Sequence, residues 1–131
     1  YTRTSALADI YAPLRSGTDI AFLGGMIKYI LDHDRIQFGY VSEYTNASFL
    51  IDERFDFHDG LFSGYNPKTH KYDKSSWKYQ LDKNGIAKRD KTLKHPRCVY
   101  QLLKKFYARY TPKKVSEIIG TPQDQLLKVY E

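Results

Sequence analysis

The sequence predicts an α/β domain fragment that is mainly helical, with an irregular insertion at its centre. Three observations carry this. The composition, 41% hydrophobic and 27% charged over 131 residues, is that of a chain able to form one packed domain rather than a disordered segment. Apolar residues recur at helical spacing towards both ends. Between them, Gly60, Gly64, Asn66-Pro67 and Asn84-Gly85 break up a polar stretch rich in Tyr, Phe and Lys. The expected organisation is a single partial domain over residues 1–131. It comprises a strand, loop and helix in 1–51, an aromatic and basic insertion in 52–94, and a helical segment in 95–131.

In chain order, residues 8–14 read as a short extended run ended by Pro13, and Arg15-Ser16-Gly17-Thr18-Asp19 supplies turn and capping residues. From Asp19 to about His33, apolar side chains at 20, 23, 27, 30 and 31 have amphipathic-helix spacing, with Thr18 or Ser16 as N-cap. Residues 38–44 predict a second helix, and residues 47–51 either extend it or turn into a strand. In the insertion, residues 77–81 alternate, Asp82-Lys83-Asn84-Gly85 turns and residues 86–88 resume, which predicts a hairpin. Helix returns at Pro96 and runs through Val99, Leu102, Leu103, Phe106 and Tyr110. Two short helices close the chain. Thr111-Pro112 and Thr121-Pro122 each set a capping hydroxyl before a proline, and Gly120 ends the helix between them.

The longest apolar run, residues 20–27, stops at Lys28, far short of the ~20 residues of a membrane span. The opening Tyr1-Thr2-Arg3-Thr4-Ser5 leads into no apolar region of a signal peptide. No initiator Met stands at the start and the last residues have a helical pattern, so the chain reads as an excised piece. Its net charge of +6 invites anionic partners without choosing among nucleic acid, phosphates and acidic proteins. Cys98 is the only cysteine, so no disulfide and no thiolate cluster can form within the chain.

The sharpest chemical feature is the loop Arg15-Ser16-Gly17-Thr18-Asp19. A helix N-terminus after a strand offers free N–H groups and positive partial charge to a phosphate, and glycine permits close approach. The Asp19 carboxylate can accept two hydrogen bonds from a guanine edge, which adenine cannot supply. The simpler account of this pentapeptide alone is a capped helix with Asp19 favouring the dipole. His95-Pro96-Arg97-Cys98 sets two metal-capable residues three apart, but surface polar groups and a packed thiol account for them. Asp52, Glu53, Asp56 and Asp59 lack the ligand spacing of a calcium loop. Tyrosines interleaved with lysines, as at residues 68–79, fit a single-strand nucleic-acid surface or an insertion that packs on a neighbour. No recognition helix or RNP motif accompanies them.

As a whole the sequence resembles the catalytic (major, alpha) subunit of respiratory formate dehydrogenases, within the wider molybdopterin oxidoreductase class. The matching stretches are Arg3-Thr4-Ser5-Ala6-Leu7-Ala8-Asp9 running into Arg15-Ser16-Gly17-Thr18-Asp19-Ile20-Ala21, then Glu43-Tyr44-Thr45-Asn46-Ala47-Ser48 and Asp59-Gly60-Leu61-Phe62-Ser63-Gly64-Tyr65. Tyr72-Asp73-Lys74-Ser75-Ser76-Trp77, His95-Pro96-Arg97-Cys98-Val99 and Arg109-Tyr110-Thr111-Pro112 complete the set. The first is shared across the wider class, and the middle ones look specific to the formate enzymes.

The resemblance implies an internal fragment of a Rossmann-like domain that binds molybdopterin guanine dinucleotide. Ser16, Gly17 and Thr18 would meet the nucleotide, Asp19 would hold the guanine, and Arg15 is a less secure contact. It implies for the parent a bis-molybdopterin guanine dinucleotide with Mo or W, a selenocysteine or cysteine ligand and a 4Fe-4S cluster, none of whose metal ligands fall in this chain. It further implies formate as substrate and a periplasmic location. The implied partners are the remaining domains of the subunit, an iron-sulfur electron-transfer subunit and a membrane cytochrome subunit, with no nucleic acid. Cys98 and His95 match family positions but not the catalytic ones. Ile119 departs from the family, which has Cys there. Residues 52–94 would contact other domains or the electron-transfer subunit. A nucleic-acid module and a purely structural interaction domain remain as readings from other classes.

Overall fold

The computed structural model describes residues 2–131; Tyr1, with which the opening segment begins, lies outside them. The fold is mixed α/β, with five helices and two small two-stranded sheets among the described residues. Two compact units divide the chain: Tyr1–Arg35 with Tyr107–Glu131, and Ile36–Phe106.

Unit one is helical. After a 3-10 turn at Ser5–Leu7 come α1 (Asp19–Asp32), α4 (Pro112–Ile119) and α5 (Gln123–Tyr130). The expected strand at residues 8–14 is not formed. Ala8 is extended, but the carbonyls of this segment go to side chains: Thr121 Oγ1 donates to Pro13 O (2.5 Å) and Gln125 Nε2 to Tyr11 O. No strand lies in unit one among the described residues.

The core is Ala21, Val115, Ile119, Leu126 and Tyr130, with Leu14, Phe22, Met26 and Tyr110 packed against it. Helix α1 matches its expected span, but the face it buries is Ala21, Gly24, Gly25 and Leu31. Ile20 and Leu23, expected inward, are 77% and 52% exposed. The two glycines explain the choice. A Cβ at Gly24 would meet the Tyr110 ring at 2.8 Å, and one at Gly25 the Tyr130 hydroxyl at 2.5 Å. Only the bare backbone admits both rings, and Tyr130 Oη then donates to Phe22 O (2.7 Å). Burial pushes that phenol up to about 12. Helix α1 is thus apolar on a second side that nothing in unit one covers.

Helix α4 is capped as expected: Thr111 accepts from Lys114 N, and Gly120 closes it at φ 87. The cap expected at Thr121 is not made. Its hydroxyl is turned to Pro13, leaving Pro122 at the N-cap of α5 without a side-chain bond.

Unit two contains α2 (Phe38–Tyr44), α3 (Val99–Tyr107, whose last residue belongs to unit one) and four two-residue strands. These are β1 (Phe57–His58), β2 (Leu61–Phe62), β3 (Tyr65–Asn66) and β4 (Lys71–Tyr72), paired antiparallel as β1 with β2 and β3 with β4. The β1–β2 turn is Asp59-Gly60, both at positive φ (48 and 83), the backbone a two-residue hairpin turn requires. Residues 47–51 are neither helix extension nor long strand. A 3-10 turn at Asn46–Ser48 gives way to isolated bridges, Phe49 to Arg89, Leu50 to Cys98 and Ile51 to Tyr79. The Cys98 bridge holds the chain out of helix, so α3 starts at Val99 rather than Pro96.

The expected hairpin at 77–88 is present as a turn with one bridge, Leu81 to Ala87. Asp82 N donates to Ile86 O (2.8 Å), and the Asp82 carboxylate accepts from Asn84 N and Ile86 N (2.8 and 2.9 Å). Rings fill much of the interior. Phe62 packs edge-on to Trp77 at 5.5 Å, Phe57 against Phe106 at 5.5 Å, and Trp77 Nε1 donates to Ser63 O (3.0 Å).

Candidate functional site

The loop before α1 is shaped by a turn that the sequence dictates. Arg15 O accepts from Thr18 N (3.2 Å) and Thr18 Oγ1 (2.6 Å), so Ser16 and Gly17 form the bend, and Gly17 takes φ 78. An L side chain there is strained. Thr18 occupies the N-cap position, but its hydroxyl bonds back to Arg15 instead of capping α1.

The N–H groups of Gly17, Asp19 and Ile20 meet no acceptor among the described residues, as expected for the first turn of a helix. Nothing lies within 4 Å of the place a Gly17 Cβ would take, and Ser16, Gly17 and Asp19 are exposed. The structure therefore brings together an exposed backbone bend, the positive end of a 14-residue helix and one exposed carboxylate, Asp19. That arrangement can take a phosphate at the amides and a paired donor edge at the carboxylate.

Arg15 stands apart from its neighbours. Its backbone N donates to Ile119 O (2.9 Å), and its Nη1 donates to Glu117 O (2.8 Å) and Ile118 O (3.1 Å). The guanidinium thus binds the C-terminal carbonyls of α4, where the helix dipole favours a cation. It fixes the loop's position rather than reaching outward. Thr121 and Ser116 complete the anchorage: Thr121 holds Pro13 and Ser116 Oγ donates to Thr121 O (2.6 Å). Sequence reasoning missed the Arg15–Glu117 and Thr121–Pro13 supports, because partners 102 and 108 residues apart leave no local signal.

The remaining constellations have structural partners. Cys98 is fully buried, and burial pushes its thiol up. His95 Nδ1 accepts from Arg97 N (3.1 Å), while Arg97 Nη2 donates to the carbonyls of Asp52 and Phe55. Asp52 chelates Arg54 (2.8 and 3.0 Å), and hydrogen bonds from Arg54 hold the carboxyl well below the usual range. Asp56 accepts from Phe57 N (2.8 Å) and faces Lys105 (3.6 Å). The acids at 52–59 therefore do not converge on a cation. Among the described residues no group of three His, Cys, Asp or Glu could hold a metal.

Along its whole length the chain is 60% identical to the formate dehydrogenase subunit alpha of Megalodesulfovibrio gigas. It is 58% identical to the major subunit of the nitrate-inducible formate dehydrogenase of Escherichia coli K12. Both identities hold across a chain studded with the motifs quoted above. The chain is homologous to one segment of formate dehydrogenase alpha subunits. It spans 13% of the length of each of these relatives. A formate dehydrogenase 2 subunit alpha (cytochrome c-553) of Nitratidesulfovibrio vulgaris is 50% identical, again over all of this chain and 13% of its own length. No protein-family model matches the chain.

Proposed function

We propose that this chain is part of the catalytic subunit of a formate dehydrogenase and that loop 15–19 holds the nucleotide end of its pterin cofactor. The observation that carries the first part is the 50–60% identity to alpha subunits along the full chain. Support for the second is the exposed, positively polarised loop with its exposed carboxylate. Gly17 lets the cofactor's phosphates approach the backbone, Asp19 accepts from guanine, and Arg15 sets the loop's place by gripping α4.

The cofactor, bis-molybdopterin guanine dinucleotide with molybdenum or tungsten, supplies the redox chemistry when bound. The parent would oxidise formate to carbon dioxide in the periplasm and pass electrons through a 4Fe-4S cluster to an iron-sulfur subunit and a membrane cytochrome subunit. The uncovered side of α1, with Ile20 and Leu23 exposed, supports packing of this segment on a Rossmann-like sheet built from other parts of the subunit.

The test uses the parent subunit. Asp19→Asn should lower the guanine nucleotide released on acid hydrolysis of the purified protein by about tenfold, the equivalent of one charge-assisted bond, with the thermal midpoint unchanged. An unchanged nucleotide content would remove the site assignment. Absence of formate-dependent dye reduction by the wild-type parent would remove the enzymatic one.

A second reading, a surface for single-stranded nucleic acid, has less support: Trp77 packs against Phe62 and bonds Ser63 O, and one face of Tyr79 stacks on Phe49 at 4.9 Å.

A further inference from the structure

Thr121 is a polar residue buried completely, at 0% exposure, in the joint between α4 and α5. A threonine beside a helix start ordinarily turns its hydroxyl to the first free amides of that helix. Helix α5 goes without such a bond, and Thr121 Oγ1 donates instead to Pro13 O (2.5 Å), 108 residues away. The Thr121 carbonyl in turn accepts from Ser116 Oγ (2.6 Å), which ties the residue to α4.

This bond belongs to a series. Gln125 Nε2 donates to Tyr11 O, Thr121 Oγ1 to Pro13 O, and Arg15 N to Ile119 O (2.9 Å). Alternate residues of 11–15 are thereby bonded to the stretch 119–125, while Leu14 between them packs against the core of unit one. Residues 16–19 have no mount of this kind among the described residues. Beyond the turn onto Arg15 O, the backbone bonds of these residues are those that begin α1. The loop is therefore held from behind, at Pro13 and Arg15. Arg15 is exposed beside the bend, whereas the enclosed Thr121 cannot touch a nucleotide at all.

A hydrogen bond weakens steeply as its angle departs from linear, so a carboxylate that accepts two at once depends on its aim. We infer that Thr121 is a positioning residue for the cofactor loop, acting through Pro13 to fix the angle at which Asp19 and the Gly17 backbone meet the nucleotide. This rests on the assignment of loop 15–19 to the nucleotide, and the variants below separate the two.

The test uses the parent subunit and the guanine nucleotide released from it on acid hydrolysis. Thr121→Val keeps the volume and removes the donor. It should lower the nucleotide content about fivefold, the loss of one hydrogen bond passed on to the loop. Thr121→Ser, which keeps the donor, should restore most of it. Ser116→Ala frees the residue that Ser116 holds and should show the same loss in smaller measure. Val115→Ala, in the same buried core, should lower the thermal midpoint and leave the nucleotide content per folded subunit unchanged.

The variant carrying both Thr121→Val and Asp19→Asn decides between positioning and plain stability. Because Thr121 acts through the aim of Asp19, this variant should hold about as much nucleotide as Asp19→Asn alone. A full further fivefold loss would overturn the inference, as would a loss in Val115→Ala equal to that in Thr121→Val. Full nucleotide content in Thr121→Val and Ser116→Ala, beside a loss in Asp19→Asn, would also overturn it while the loop assignment stands. No loss in Asp19→Asn would remove the loop assignment itself, and the inference with it.

Discussion

Unit one buries Val115, Ile119 and Leu126 almost completely in a contiguous helical core, whereas unit two buries a mixed set, Ala47, Ser48, Leu93, Cys98, Tyr100 and Leu102. Unit two closes instead through carboxylates on backbone amides, an arginine on carbonyls and rings on rings. Arg89 combines two of these contacts. Its Nε donates to Ser48 Oγ (3.0 Å) and its Nη2 to Ser42 O (2.7 Å), and the guanidinium lies 4.9 Å from the Phe49 ring centre. One unit therefore depends on volume and the other on directed polar contacts. Substitutions that change volume should hurt the first most, and changes of charge state should hurt the second.

The largest effect is expected from Leu126→Ala. Removing a fully buried leucine from the unit-one core should cost about 2–5 kcal/mol in denaturant unfolding. A loss under ~1 kcal/mol would show that the core is not where unit one's stability lies. Gly25→Ala comes next, at about 1–3 kcal/mol, because the new methyl meets the Tyr130 hydroxyl and Val115, and this outweighs the ~1 kcal/mol gain in helix propensity. A stabilised Gly25→Ala variant would mean that the Tyr130 ring moves aside freely.

In unit two, Trp77→Phe keeps a ring but removes the donor to Ser63 O, and should cost about 1 kcal/mol. Amide exchange at Ser63 and Trp77 reads it.

The smallest effect should carry a pH signature. Hydrogen bonds from the Thr92 hydroxyl and the His95 amide hold the Asp90 carboxyl down at about 2. A depressed folded-state value means that the contribution is full above the unfolded value of about 3.9 and is lost as pH falls through about 2. Amide protection at Thr92, Lys94 and His95 should therefore fall over that window, and Asp90→Ala should flatten the dependence. An unchanged slope in the variant would show that other carboxylates govern it.

The contrast also explains what the sequence made legible. Periodicity located the helices, and for α4 the caps did so as well, because helices signal themselves within a few residues: Thr111, Pro112 and Gly120 mark α4 at both ends. The inward face of α1 was not legible. Ile20 and Leu23 have the right spacing, and only the approach of Tyr110 and Tyr130 to Gly24 and Gly25 decides which side is buried. In unit two, two-residue strands are too short for alternation to register, and Gly60 and Gly64 showed only that the stretch is broken up. Of the candidate site, the bend and helix start were visible in the pentapeptide, while the grip of Arg15 on α4 was not, since 102 residues separate Arg15 from Glu117.

The glycine pair in α1 has a consequence for how the chain tolerates change. It seats tyrosines from positions 110 and 130, so unit one forms only once the polypeptide has travelled through all of Ile36–Phe106 and returned. In chain-statistical terms, unit two is a loop closed by its host. The entropy of closure rises only logarithmically, about 0.6 kcal/mol for each doubling of length. By this measure a longer or shorter excursion would cost unit one little, provided the two glycines stay bare.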